Sequence, residues 1–208
     1  MPYLRGRGPR TRRLAAFLRK RARSDDAARP ELDCRRFPSL FQKRAIVFTD
    51  TDDFTVLVAR YGVLHFLMLF DRAERVLEPV VRRRGGRLLK AEGDSLLLSF
   101  PDPASACGGV IAMQAALRRL NGNKPGSERL AFSYGVGFGD VLEIEHDVFG
   151  LEVNLASKLG EDRAKRNEVL LTPAAAAALP KHLQKRLVPY DVATFEGRAI
   201  PIQRLKLG

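Results

Sequence analysis

The stretch "AIVFTDTDDFTVL", residues 45–57, constrains what this chain can fold into more than any other segment. Ala45 to Thr49 are apolar or β-branched and read as a buried strand within residues 44–49. The strand runs straight into Asp50, Asp52 and Asp53 before a second apolar stretch begins. Carboxylates side by side at a strand end repel one another and destabilise a bare fold unless a cation lies between them. A polar turn, with Asp52 capping the helix that follows, would account for Asp52 or Asp53 taken singly. Asp50 needs a different explanation if the fold brings a further aspartate to it.

The rest of the pattern supplies that aspartate. A helix is expected from about Thr55 to Arg83, with Leu57, Tyr61, Leu64 and Met68 on one face, a break or kink at Gly62, and "RRRGG" closing it. "RLLKAEGDSLLLSF" reads as two strands about a tight turn at Ala91–Gly93. A second helix covers roughly Pro103 to Leu120. "RLAFSYGVGFGDVLEIE" reads as two strands around Gly137–Asp140. Its "GVGFGD" lies between strands rather than before a helix, so a hairpin turn is expected in place of a dinucleotide fingerprint. A third helix spans about Leu151 to Ala164. "EVLLT" is a strand, "PAAAAALP" a short helix, and "LVPYDVATFEGRAIPIQRLKL" a terminal hairpin.

This β-α-β-β-α-β order with a β-α-β-β tail predicts an α+β, ferredoxin-like fold, one sheet with helices on one face. In that topology the first strand is central and lies beside the strand pair of residues 86–100. Its end then meets the turn at Glu92–Asp94, which puts Asp50 and Asp94 within reach of one another. Such a pair suits Mg²⁺, which takes one or two carboxylates plus substrate phosphates. Two metals held by shared carboxylates can activate an attacking oxygen and stabilise a leaving one.

Charge divides the chain unevenly. Its formal net charge is +12, and residues 1–44 hold 14 Lys/Arg against 4 Asp/Glu, a net of +10. A basic N-terminal extension over 1–42, partly helical or disordered, therefore precedes a nearly neutral domain over 43–208. Such an arm can seek an anionic membrane surface or an acidic partner. "TRRLAAFLRKRAR", with Leu14, Phe17 and Leu18 amid arginines, suits an amphipathic helix on a membrane surface or on the domain itself. A nucleic-acid role rests on the arm's charge alone, because aromatics are not interleaved with its basic residues. Two cysteines, Cys34 and Cys107, cannot form a disulfide framework, and no apolar run is long enough to span a bilayer. A reducing, cytoplasmic setting is expected, peripheral to a membrane if the arm binds one. His65, His146 and His182 are scattered without zinc spacing.

"FTDTDDFT", "LKAEGDSLLL" and "HDVFGLEVNLASKL" together resemble, in order and spacing, the motifs of the class III nucleotidyl cyclase catalytic domain, adenylate type. The resemblance covers about residues 44–205. It implies conversion of ATP to 3′,5′-cyclic AMP and pyrophosphate, with the ribose 3′-hydroxyl attacking the α-phosphorus. It implies Mg²⁺ or Mn²⁺, two per site, held by Asp50 and Asp94 with the backbone of Thr51. Thr51, Phe54 and Thr55 would lie beside the phosphates. Lys90 and Asp147 match the pair that reads adenine, and guanylate-type members resemble glutamate and cysteine there. A lysine donates to a ring nitrogen and an aspartate accepts from the exocyclic amino group, which fits adenine and mismatches guanine. Asn154 matches the asparagine that orients the ribose. Lys158 stands where the family usually has an arginine that stabilises the transition state. The family splits its site across a dimer, and this chain carries both halves, so the resemblance implies a homodimer with two shared sites.

Three positions depart from the pattern. Lys158 keeps the charge of the arginine but not its planar fork. Asp53 replaces a glycine beside the phosphates. Glu168 aligns with a triphosphate-binding lysine, and Lys165 and Arg166 just before it could substitute. A cyclase of other base choice, acting on GTP or a pyrimidine triphosphate, and a non-catalytic nucleotide-binding regulatory homologue are the two alternatives. The diguanylate cyclase turn is not matched, since "AEGDSLL" lacks its second glycine and its Glu-Phe pair.

Overall fold

In the computed structural model, residues 8–25 and 41–207 are described. Cys34 and the arm's Pro30 and Pro38 lie outside them. Helix α1 (Pro9–Arg21) comes first. The chain then runs through β1 (Phe41–Thr51), α2 (Phe54–Tyr61), α3 (Val63–Arg83), β2 (Arg87–Glu92), β3 (Ser95–Phe100) and α4 (Pro103–Asn121). It continues through β4 (Phe132–Glu143), β5 (Val148–Phe149), α5 (Leu151–Asp162), β6 (Val169–Leu171), α6 (Pro173–Ala177), α7 (Lys181–Gln184), β7 (Leu187–Phe195) and β8 (Arg198–Leu205). The strands form one sheet in the order β2-β3-β1-β4-β6-β8-β7, with β5 paired to β4.

β1 is central, antiparallel to β3 on one side and to β4 on the other. Both of its faces are covered, which is why residues 45–48 read as a continuous apolar run rather than an alternating one. Ala45 and Val47 pack with α2, α3, α4 and α6, in the main core around Phe66, Phe100 and Phe132. Ile46 and Phe48 face the opposite side, in a second cluster with Val153 and Ala156 of α5. The expectation of helices on one face therefore fails for α5.

The predicted hairpin at Gly137–Asp140 also fails. β4 is one strand, paired with β1 from Thr51↔Phe132 to Phe41↔Leu142. Its alternate glycines are there for a close approach. A Cβ at Gly135 would lie 2.0 Å from the Ala156 carbonyl oxygen, and one at Gly137 would lie 2.3 Å from that of Glu152. Bare backbone on one face of β4 lets α5 settle against the sheet.

Gly62, at φ +87°, ends α2 and starts α3 as the sequence suggests. The break resets the helical phase, so spacing counted across it does not define one buried face. Leu57 is buried, but Leu64 is 78% exposed and Tyr61 and Met68 also face solvent. The core side of α3 is Phe66, Leu69, Phe70, Ala73 and Leu77.

α1 rests on the domain. Leu14, Phe17 and Leu18 pack against Ile144 and Leu142 at the end of β4. The backbone N–H groups of Arg10 and Thr11 donate to the Glu145 carboxylate at 2.5 and 3.0 Å, which satisfies the free donors of the helix start. Among the described residues no helix is long and apolar enough to cross a membrane.

Candidate active site

The end of β1 and the β2–β3 turn meet as the topology requires. Thr49 pairs with Leu96, and the Leu96 N–H donates to Thr49 Oγ1 at 3.0 Å, fixing the two strand ends together. Two residues on, the buried Thr51 hydroxyl donates to Asp94 Oδ2 at 3.1 Å, and the Ser95 hydroxyl donates to Asp50 Oδ1 at 3.3 Å. Each aspartate thus takes a hydroxyl from a residue adjoining the other. The crossing bonds hold two carboxylates near one another. Burial first, and then the Asp94 charge, push the Asp50 carboxyl up to about 6, with the Ser95 hydrogen bond working in the other direction.

That shift has a stability consequence. A carboxyl raised in the folded state binds its proton more tightly there than in the unfolded chain. Its favourable contribution is complete below the ordinary carboxyl pKa and is lost as pH rises through about 6. In chelator, Asp50→Asn is expected to stabilise the fold by about 2 kcal/mol at pH 8 and by nothing at pH 3.5. Urea unfolding at the two pH values checks this, and an equal effect at both would rule out a raised Asp50 carboxyl.

The fit to a divalent cation can be judged from this donor set. Asp50 and Asp94 are two oxygen donors whose joint charge is unfavourable in the bare protein. Two carboxylates are what Mg²⁺ takes from a protein when phosphates supply further ligands. Among the described residues no three His, Cys, Asp or Glu side chains gather into an all-protein cage. The pair therefore suits a metal shared with a phosphate-bearing substrate.

The other residues singled out in the sequence take separate places. The Phe54 ring turns inward, edge-on to Phe66 with centroids 4.7 Å apart, so only its backbone is left for a phosphate. Thr55 is exposed on the first turn of α2. Lys90, on β2, forms an ion pair with Glu92 at 2.5 Å. Asp147, in the loop before β5, accepts the Val148 N–H at 2.9 Å. Asn154 and Lys158 share the solvent side of α5, and Lys158 pairs with Asp162 at 3.7 Å. The structure brings Asp50, Thr51, Asp94 and Ser95 together, whereas Lys90, Asp147, Asn154 and Lys158 stand on three other elements.

Asp53, not Asp52, is the N-cap of α2, and it makes no capping hydrogen bond. Its carboxylate pairs with Arg166, whose Nε also lies 3.8 Å from Asp52. The sheet explains this neighbour. β6 runs parallel to β4, and β4 is antiparallel to β1, so the residues just before β6 lie beside those just after β1. Glu168 is held by Arg204 Nη1 at 2.6 Å and by the Tyr190 hydroxyl at 3.0 Å. Ser95 and the Asp53–Arg166 pair escaped sequence reading. Ser95 adjoins Asp94 in the turn and could have been suspected, but nothing near Arg166 signals its partner.

This arrangement of strands and helices is shared with solved enzymes. The structure titled adenylate/guanylate cyclase/hydrolase from Silicibacter pomeroyi superposes with a TM-score of 0.68, covering 81% of this chain and 98% of that one at 20% identity. The chain has the class III nucleotidyl cyclase fold. The cyclase fold is equally recognisable against the adenylyl cyclase CyaB from P. aeruginosa, with a TM-score of 0.66 over 81% of this chain and 95% of that one at 19% identity. In sequence, a protein named adenylate cyclase from Streptomyces coelicolor is 31% identical over 138 residues, 66% of this chain and 34% of that protein. The chain spans about a third or less of the length of the curated relatives it matches. No family model matches it. Within the cyclase fold, Asp50 and Asp94 occupy the end of the central strand and the turn of the neighbouring hairpin.

Proposed function

We propose that this domain is an adenylate cyclase, making 3′,5′-cyclic AMP and pyrophosphate from ATP at sites shared between two copies of the chain. The observation that carries the reading is the pairing of Asp50 with Asp94 within a cyclase fold, where burial and the neighbouring Asp94 charge disfavour the charged form of Asp50. Asp50, Asp94 and the Thr51 backbone would hold Mg²⁺ or Mn²⁺. When bound, the metal supplies positive charge to the triphosphate and favours loss of the 3′-hydroxyl proton. The 3′-oxygen forms a bond to the α-phosphorus, and the bond from that phosphorus to the pyrophosphate oxygen breaks.

The protein's own residues position and neutralise. The Thr51–Asp94 and Ser95–Asp50 hydrogen bonds keep the carboxylates from swinging apart, which is preorganisation of the kind that dominates phosphoryl chemistry. Lys90 and Asp147 of the second copy would read the donor–acceptor edge of adenine. Asn154 would orient the ribose, and Lys158 would place a positive charge against the phosphorus as oxygens gather charge there. Lys158 and Asn154 are four residues apart on one helix face, so a single approach of α5 presents both. At the start of α2, where Thr51, Phe54 and Thr55 would offer backbone to phosphates, Arg166 would offset the charge of Asp53. Choice of adenine over guanine rests on Lys90 and Asp147. The Silicibacter pomeroyi structure's title names both activities, so base choice is the finer part of the proposal.

The test is product formation by the purified chain with Mn²⁺ and then Mg²⁺, offering ATP, GTP, CTP and UTP side by side. Cyclic AMP from ATP alone is expected. Another cyclic nucleotide would overturn the base assignment and keep the cyclase. Nucleotide binding without product, from a well-folded dimer, would replace the enzyme with a nucleotide-binding regulatory module.

A further inference from the structure

A second charged centre lies at the other end of β1, around Glu143. This side chain is 3% exposed and is the last residue of β4. Three arginines from three different elements converge on it. Arg10 of α1 reaches Oε1 at 3.4 Å, Arg87 of β2 pairs with the same oxygen, and Arg44 Nε of β1 stands 3.6 Å from Oε2. The Ser99 hydroxyl donates to Oε2 at 3.2 Å. The group lines a cavity of about 560 Å³, a volume typical of small-molecule sites, whose wall is completed by Arg82, Glu78, Leu88 and the Gly85–Gly86 turn.

The donors here exceed what the carboxylates can accept. Each guanidinium carries five N–H groups, and a carboxylate offers about four acceptor positions. Arg82 is occupied by Glu78 at 2.5 Å. Arg44 Nε is shielded from solvent and has no hydrogen-bond acceptor among the described residues. Four arginines against two glutamates leave the cavity wall with a formal charge of +2. A structural ion pair would need one arginine for Glu143. Three forks about one carboxylate, beside an open cavity, have the composition of an oxyanion site whose permanent carboxylate holds the arginines in place. The lining has no aromatic side chain for a base to stack on, and its charged groups are mostly guanidinium, which suits a compact anion better than an aromatic base.

We propose that this cavity binds the phosphate group of a small phosphorylated ligand, clamped by Arg44 and Arg87 and closed by Arg10 of α1. Arg44 and Asp50 are six residues apart on one extended strand, so the site lies about 20 Å from the aspartate pair. Because Arg10 comes from the basic helix, occupancy ties that helix to the domain. The phosphate arrives either on a soluble molecule or on a lipid headgroup, and Arg44 and Arg87 would meet the same chemistry in both.

The test uses the full chain carrying Asp50→Ala, in chelator, so that neither a metal nor an intact nucleotide site contributes. Titration calorimetry with inorganic phosphate and pyrophosphate is expected to show one ligand per chain. Arg44→Gln and Arg87→Gln should each weaken binding about tenfold or more. Sedimentation with phosphatidic acid vesicles, set against phosphatidylcholine vesicles, separates the sources. Arg44-dependent pelleting assigns a lipid headgroup, and soluble binding without it assigns a free phosphate. No saturable binding of either probe to the folded chain, or binding unchanged by both glutamine substitutions, would overturn the proposal. The outcome is independent of cyclase activity.

Discussion

Asp50→Ala and Asp94→Ala are each expected to lower cyclic nucleotide formation by at least about a thousandfold while leaving a folded chain. The magnitude follows from what is removed. Each variant deletes one of two anionic donors that the proposed metals would share, and electrostatic stabilisation is the principal resource for moving a phosphoryl group. Folding should survive because neither carboxylate supports the core, and Asp50 is a charge the fold holds at a cost. A split site makes a further demand. Mixing an Asp50→Ala chain with a Lys90→Ala chain should restore activity, since in the mixed dimer one of the two sites regains every group. Product is measured from the mixture after heterodimers are purified through two different tags. Turnover retained in either aspartate variant would remove the metal assignment, and no rescue in a verified heterodimer would remove the shared site.

Gly135→Ala is expected to cost at least about 3 kcal/mol of stability, more than most single methyl additions. The new Cβ would sit 2.0 Å from the Ala156 carbonyl oxygen and 2.6 Å from the Gly160 backbone nitrogen. Both obstacles are main chain of α5, so no side chain can swing aside to make room. The helix would have to lift from the sheet, taking Val153 and Ala156 out of their cluster with Ile46 and Val141. It would carry Asn154 and Lys158 with it, so any folded remainder should also lose turnover. Denaturant unfolding of Gly135→Ala beside Gly126→Ala, a glycine with open space around it, checks the point. Equal midpoints would show that the close approach is not required.

The parts of the fold that could be read in the sequence are those governed by local pattern. The central strand, the hairpin that presents Asp94 and the break at Gly62 all follow from short-range signals, and with them the aspartate pair. The failures have a common cause in packing between distant segments. Glycines in β4 signal a turn when read locally, but their reason lies in α5, which follows later in the chain. Leu64 and Met68 keep helical spacing with Leu57, yet the positive φ at Gly62 rotates α3 so that a different stripe is buried. Arg166 reaches Asp53 only because β6 is parallel to β4, and no residue near it records that pairing.

The two aspartates are mounted differently. Asp50 ends a strand pinned along both sides by β3 and β4. Asp94 rides at the tip of a hairpin whose outer strand, β2, is the sheet's edge and is bulged between Leu88 and Lys90. The arrangement is a vice with one fixed jaw and one sprung jaw. Asp94 is carried one strand from the sheet's edge and Asp50 two strands in, so a contact made along β2 would reach Asp94 first.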